Sequence, residues 1–140
     1  MKDLIKKDHT YAHSIDRVWA AITDPAQITA WFIKANFKAE VGYDYTFQHE
    51  QTIIKGKVLE VSPVTKLVYT WNVSGTGDVE TTVSWQLSPI PEGTHLTLEH
   101  SGISNYPEEG LATTMFDNFS KGWINCISEL EKYLKEVAHA

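Results

Sequence analysis

Two histidines and a glutamate fall where the chain otherwise places apolar side chains, and these three carry most of its capacity for chemistry. His49 ends the alternating run Tyr43, Tyr45, Phe47, His49, and His100 ends the run Leu96, Leu98, His100. An imidazole on an apolar strand face has two readings. It is a structural group bonded to a neighbouring carbonyl or tyrosine, or it is a polar anchor for a ligand with a general-base role behind it. Glu60 keeps the period of Ile54, Gly56 and Val58, so it turns inward unless a bulge sends it to solvent. A buried carboxylate there would need a partner or a raised pKa. His49, His100 and Glu60 are therefore the weak catalytic candidates. Ser101 follows His100, but adjacent strand residues point to opposite faces, so the two make a poor pair. No Gly-x-Ser-x-Gly turn, phosphate loop or Ser/His/Asp order is present. The histidines at 9, 13, 49, 95, 100 and 139 lack ligand spacing and there is one cysteine, Cys126, so neither a metal nor a cofactor is expected. His9 and His13 are expected to be exposed.

Aromatic side chains surround the histidines in the pattern. Tyr45, Phe47, Tyr69, Trp71 and Trp85 share the inward strand faces, Trp31 comes from a short helix, and Met115, Phe119 and Trp123 line one side of a long one. Rings and a methionine with a few polar groups make up either an ordinary core or a small-molecule pocket. These residues, with His49 and His100, are the expected ligand-binding set.

The elements that hold them follow from periodicity. From Pro107 to Val137, apolar residues recur at Leu111, Met115, Phe119, Trp123, Ile127, Leu130, Leu134 and Val137, one face of a helix. Phe116, Cys126 and Tyr133 widen that face, and Pro107 suits the first turn. Residues 4–13 read as a first strand. Ser14 then caps a short helix bearing Val18, Trp19 and Ile22. Asp24-Pro25-Ala26-Gln27 starts a second, with Gln27 placed to close a capping box. Strands are expected near 36–40 and over 43–49, 52–61, 67–73, 79–87 and 96–100. Turns fall at Gly75–Asp78 and Pro89–Gly93. Gly56 inside a strand marks a bulge or a close approach. Alternation of apolar and polar residues describes an antiparallel sheet covered on one side only. A helix about 10–12 Å across cannot cover six or seven strands at ~4.8 Å spacing unless the sheet curls around it. That curl is expected to leave a cavity of a few hundred Å³.

The totals exclude several classes. The chain of 140 residues reads as one domain, 1–140. Its net charge of −6 argues against nucleic acid, and the run Lys2, Lys6, Lys7 is broken by Asp3 and followed by Asp8. No apolar run approaches the ~20 residues of a membrane span, and the N-terminus lacks the apolar stretch of a secretory signal. The lone Cys126 fits a reducing cytoplasm and reads as a small buried hydrophobe.

Taken in order, Val18-Trp19-Ala-Ala-Ile22-Thr23-Asp24-Pro25, Trp31-Phe32, Gly42, Gly56-Lys-Val58-Leu-Glu60-Val, Leu67-Val-Tyr-Thr-Trp71, Thr94-His-Leu-Thr-Leu98-Glu-His100-Ser-Gly102 and Gly122-Trp123 resemble the heat-shock-protein-ATPase-activator-like branch of the SRPBCC/START superfamily. The resemblance runs over essentially the whole chain and rests on the ordered series. It implies an α+β helix-grip fold, with an antiparallel sheet wrapped around a C-terminal helix and two short helices closing one end. It also implies an apolar or amphipathic small molecule held between sheet and helix. Two alternatives accompany that expectation. One is a cyclase- or hydrolase-like enzyme. The other is a stress-response interaction module contacting a chaperone or a second copy, although the co-chaperone's separate chaperone-binding domain is not in this sequence.

Overall fold

The computed structural model describes residues 3–76 and 79–138. Gly77 and Asp78 of the expected hairpin turn lie outside the described residues, as do Lys2, His139 and the side chain of Val137. The order is β1 (Ile5–Tyr11), α1 (Ile15–Thr23), α2 (Pro25–Trp31), β2 (Lys34–Asn36), β3 (Asp44–His49), β4 (Thr52–Ser62), β5 (Lys66–Val73), β6 (Thr81–Ile90), β7 (Gly93–Ser101), a 3-10 turn (Ile103–Asn105) and α3 (Glu109–Ala138). Seven strands form one antiparallel sheet in the order β1-β7-β6-β5-β4-β3-β2. The curved sheet and its long terminal helix are the helix-grip fold.

Local chemistry sets the boundaries. Ser14 accepts from the Arg17 backbone N–H at the start of α1, and Asp24 accepts from Ala26 at the start of α2. Gln27 does not complete a capping box. Its amide donates to the Asp24 carboxylate at 3.3 Å and its oxygen accepts from Tyr133 of α3 at 3.1 Å, so it ties α2 to the long helix. Pro107 lies before α3 and not in its first turn, because Ala112 already bonds back to the Glu108 carbonyl. The Pro89–Gly93 turn is tighter than its composition suggests. Pro89 pairs with Thr94 and Ile90 with Gly93, within β6 and β7. β5 stops pairing β6 at Gln86, so the missing N–H of Pro89 leaves no ladder bond unmade.

The concave face of the sheet meets the stripe of α3. Leu67, Tyr69, Trp71, Val83, Trp85, Leu87, Leu96 and Leu98 are buried, as are Met115, Trp123, Ile127, Leu130 and Leu134 opposite them. The Tyr11 hydroxyl donates to the Ile127 carbonyl at 3.0 Å, fixing the β1 edge to the helix. Gly56 marks a close approach of β4 to β5. A Cβ there would stand 2.1 Å from the Thr70 carbonyl oxygen, which also accepts the Tyr45 hydroxyl at 2.6 Å.

Candidate functional site

The concavity is largely filled by rings. Phe37, which follows β2 and is buried, packs against Tyr45, Phe47 and Tyr69 with centroids 5.7, 5.9 and 5.8 Å away. Tyr69 stacks on Trp71, and Trp123 from α3 reaches Trp71 at 5.2 Å and Trp85 at 5.8 Å. The single cavity of a few hundred Å³ expected from curvature is therefore reduced to two smaller adjoining spaces.

The smaller one is an apolar chamber of about 90 Å³ bordered by Phe32, Trp71, Phe119, Gly122 and Trp123, open to solvent beside the exposed Gly122. The larger one is a cleft of about 250 Å³ bordered by Trp31, Phe32, Ile33, His49, Gly122, Asn125, Cys126 and Glu129. Phe32 and Gly122 border both, so the two spaces adjoin between the end of α2 and α3. Gly122 is exposed, and a Cβ built there meets no atom within 4 Å. A side chain of any length would project into space that the helix now leaves free.

A buried hydrogen-bond chain sits behind the chamber. Indole N–H groups only donate, so the 2.9 Å contact from Trp123 Nε1 makes His100 Nδ1 the acceptor. The proton of the neutral ring is then on Nε2, which donates to Thr81 Oγ1 at 2.7 Å. Thr81 in turn donates to the Trp71 carbonyl at 3.1 Å. His100 is fully buried, stacks on Phe119 at 4.5 Å, and is pushed down to about 3 by that burial. Both ring nitrogens are committed and the ring stays neutral. His100 thus fits the structural of its two readings: it orients Trp123 and Phe119, two walls of the chamber. One polar atom here lacks a partner. The Nε1–H of Trp71 is buried and makes no hydrogen bond.

The other candidate chemistry lies elsewhere. His49 keeps the inward parity of its strand but is exposed, because it pairs with Thr52 at the end of the β3–β4 hairpin, beyond the covered part of the sheet. It stands on the rim of the cleft. Glu60 points to solvent and lies 3.4 Å from Lys66, since the register of β4 against β5 shifts between Val58 and Glu60. That bulge is the inversion its sequence position left open. Eight residues of strand separate Thr52 from Glu60, roughly 25 Å of rise, so the three expected acid–base groups do not converge. His9 is half-buried, not exposed, and lies 3.3 Å from Glu131; His13 is also half-buried.

Of the expected ligand-binding set, Trp71, Phe119 and Trp123 line the chamber, and Trp31 and His49 line the cleft. Tyr45, Phe47, Tyr69, Trp85, His100 and Met115 border neither space and pack as core. Phe32, Ile33, Gly122, Asn125, Cys126 and Glu129 were absent from that set. Gly122 had a signal, since a glycine in the middle of an aromatic helix face either costs stability or leaves room for something. Cys126 is buried and its thiol is pushed up by burial, which makes it unreactive. A wider depression of about 380 Å³ opens on the outer sheet face between Asp44, Lys55, Lys57 and Glu80. Its charged, open rim suits solvent. Among the described residues no cluster of His, Cys, Asp and Glu could hold a metal ion, and no helix is long and apolar enough to cross a membrane.

Comparison with known proteins agrees with this architecture. Residues 12–135 match the family model described as Activator of Hsp90 ATPase homolog 1-like protein. Among solved structures, protein MLL2253 from Mesorhizobium loti is 28% identical, with a TM-score of 0.85 over 95% of this chain and 97% of that one. DynU16, described as a putative protein in the dynemicin biosynthetic locus, is 24% identical with a TM-score of 0.83; the match covers 96% of this chain and 48% of that one. Protein CV1439 from Chromobacterium violaceum is 20% identical, with a TM-score of 0.78 over 94% and 96% of the two chains. No curated protein matches the sequence.

Proposed function

The chain belongs to the Activator of Hsp90 ATPase homolog 1-like family, and on that premise we propose that it binds an apolar or amphipathic small molecule between α2 and α3. Membership supports a ligand-binding domain in general terms. The finer reading rests on one observation, a cleft of about 250 Å³ and an apolar pocket of about 90 Å³ that adjoin at Phe32 and Gly122, where the glycine has no atom within 4 Å of its missing Cβ. The cleft offers the ligand Trp31, Phe32 and Ile33 as apolar walls, with Asn125 and Glu129 as polar groups at the mouth.

Binding without chemistry is the favoured mode. Of the expected acid–base groups, His100 has no free nitrogen, Glu60 is ion-paired on the other side of the sheet, and His49 is alone at the rim. Chaperone contact remains attached to the family's name only. Of the exposed large apolar side chains, Leu4, Val41 and Ile124 lie on different segments, and Ile53 and Leu59 stand six residues apart on β4.

Native mass spectrometry of the protein recovered from cell extract tests the proposal. Wild-type protein should carry a small-molecule adduct that Gly122→Leu loses while keeping its fold. Retention of the adduct by Gly122→Leu would move the binding site elsewhere, and a bare wild-type protein under the same conditions would count against a tightly held ligand.

A further inference from the structure

Resting on the binding site just described, we propose that its ligand is an amphipathic organic cation, with an ammonium group held by the Glu129 carboxylate in the cleft and an apolar body against the rings beside Gly122. Among the described residues the cleft is bordered by this one carboxylate and by no lysine or arginine; its other walls include Trp31, Phe32, Ile33, His49 and Asn125.

Helix spacing turns Glu129 toward the cleft. Gly122, Asn125 or Cys126, and Glu129 follow one another at steps of three or four residues, which places them on one face of α3, and all four border the cleft. The seven residues from Gly122 to Glu129 rise about 10 Å along the helix, so an occupant that reaches both carries its polar and apolar parts at opposite ends. The smaller pocket beside Gly122 is bordered by Phe32, Trp71, Phe119 and Trp123 and offers no charged side chain. The charged end of the ligand therefore belongs at Glu129.

The sign of that charge follows from the surroundings. Glu129 is half-buried, and its hydrogen-bond partner among the described residues is Lys132, 3.4 Å away and one turn on. The Lys132 side chain is 68% exposed and does not border the cleft. An exposed pair of this kind is held weakly, so the carboxylate can exchange the lysine for an ammonium that the ligand brings. The rings of Trp31 and Phe32, stacked at 5.4 Å in the cleft wall, favour a cation a second time. An anionic ligand would instead face Glu129 with no cation in the lining, on a chain whose net charge is −6. A neutral ligand gains the apolar walls alone.

Three probes of one shape separate the charges: 4-phenyl-2-butylamine, 4-phenyl-2-butanone and 3-phenylpropanoate. Each is titrated into 15N-labelled protein at pH 7.5 while the backbone amides of Gly122, Asn125 and Glu129 are followed. The amine should bind about five- to tenfold more tightly than the ketone, with the carboxylate weakest. In Glu129→Gln the amine and the ketone should bind alike. Lys132→Gln, which frees Glu129, should tighten the amine about two- to fivefold and leave the ketone unchanged. Neither residue belongs to the core, so both substitutions leave the fold in place. Equal affinity of amine and ketone for the wild type, with Gly122 and Asn125 shifted, overturns the inference and leaves the binding site intact. A preference for the amine that survives Glu129→Gln overturns it as well, since the charge would then be read elsewhere. So does a carboxylate that binds as tightly as the amine. No shift of these amides with any probe removes the binding site and the inference together.

Discussion

Replacing His100 with glutamine should change how stability depends on pH more than stability itself. The folded-state imidazole sits at about 3 against an ordinary 6.5, with burial as the cause. The unfolded chain therefore takes up a proton before the folded one does. The His100 contribution is complete above pH about 6.5 and is lost as pH falls toward 3. Between pH 7.5 and 4.5 the linkage relation gives a loss of about 2–3 kcal/mol from this one side chain. The amide introduced by His100→Gln would not titrate. Its oxygen and nitrogen replace the acceptor facing Trp123 and the donor facing Thr81 with poorer geometry, at a cost of about 1–2 kcal/mol at pH 7.5. The two stability curves should cross, with the variant the more stable at pH 4.5. The Asp3 and Asp8 carboxyls, held below their usual range mainly by hydrogen bonds from Ser104 and Thr97, lose stability at lower pH in both proteins and drop out of the comparison. Urea unfolding at the two pH values measures it. If His100→Gln keeps the wild-type slope between them, the imidazole is not the neutral link described and the tautomer assignment falls.

Further substitutions probe other parts of the fold. Gly122→Ala should raise stability by about 0.5–1 kcal/mol, seen as a few degrees in Tm, because its Cβ enters open space in the middle of a helix. Gly56→Ala should lose about 2 kcal/mol or more in urea, since the new Cβ would stand 2.1 Å from the Thr70 carbonyl oxygen. Tyr11→Phe should cost about 1–2 kcal/mol by leaving the Ile127 carbonyl without its 3.0 Å donor, and hydrogen exchange should speed up in β1. Cys126 should react with a thiol reagent only after denaturation; rapid labelling of the native protein would mean that the cleft opens more widely than the structure shows.

The frame of the molecule was legible because it is written in periods. The spacing of Met115, Trp123, Ile127, Leu130 and Leu134 marks a helix face, and the alternations through Tyr45, Tyr69, Trp85 and Leu98 mark a one-sided sheet; each of these residues is buried. The site was less legible because depth along an element leaves no periodic trace. His49 has the parity of a core residue and stands beyond the end of the core. Glu60 was open to a one-residue bulge, and the register shift after Val58 supplied it. Phe37 has no periodic neighbours, since β2 is three residues long, yet it occupies the concavity that curvature alone would leave empty. The residues of the cleft come from α2, the segment after it, the end of β3 and the less buried side of α3. Only tertiary packing brings those four together.

The most direct test of the binding site is a set of isotope-filtered nuclear Overhauser contacts from bound 4-phenyl-2-butanone to the protein. Contacts to Phe119 and Gly122 on one side and to Ile33 and Asn125 on the other are the predicted result. Contacts to Thr46, Lys55 and Asn72, which border the depression on the outer sheet face, would contradict it.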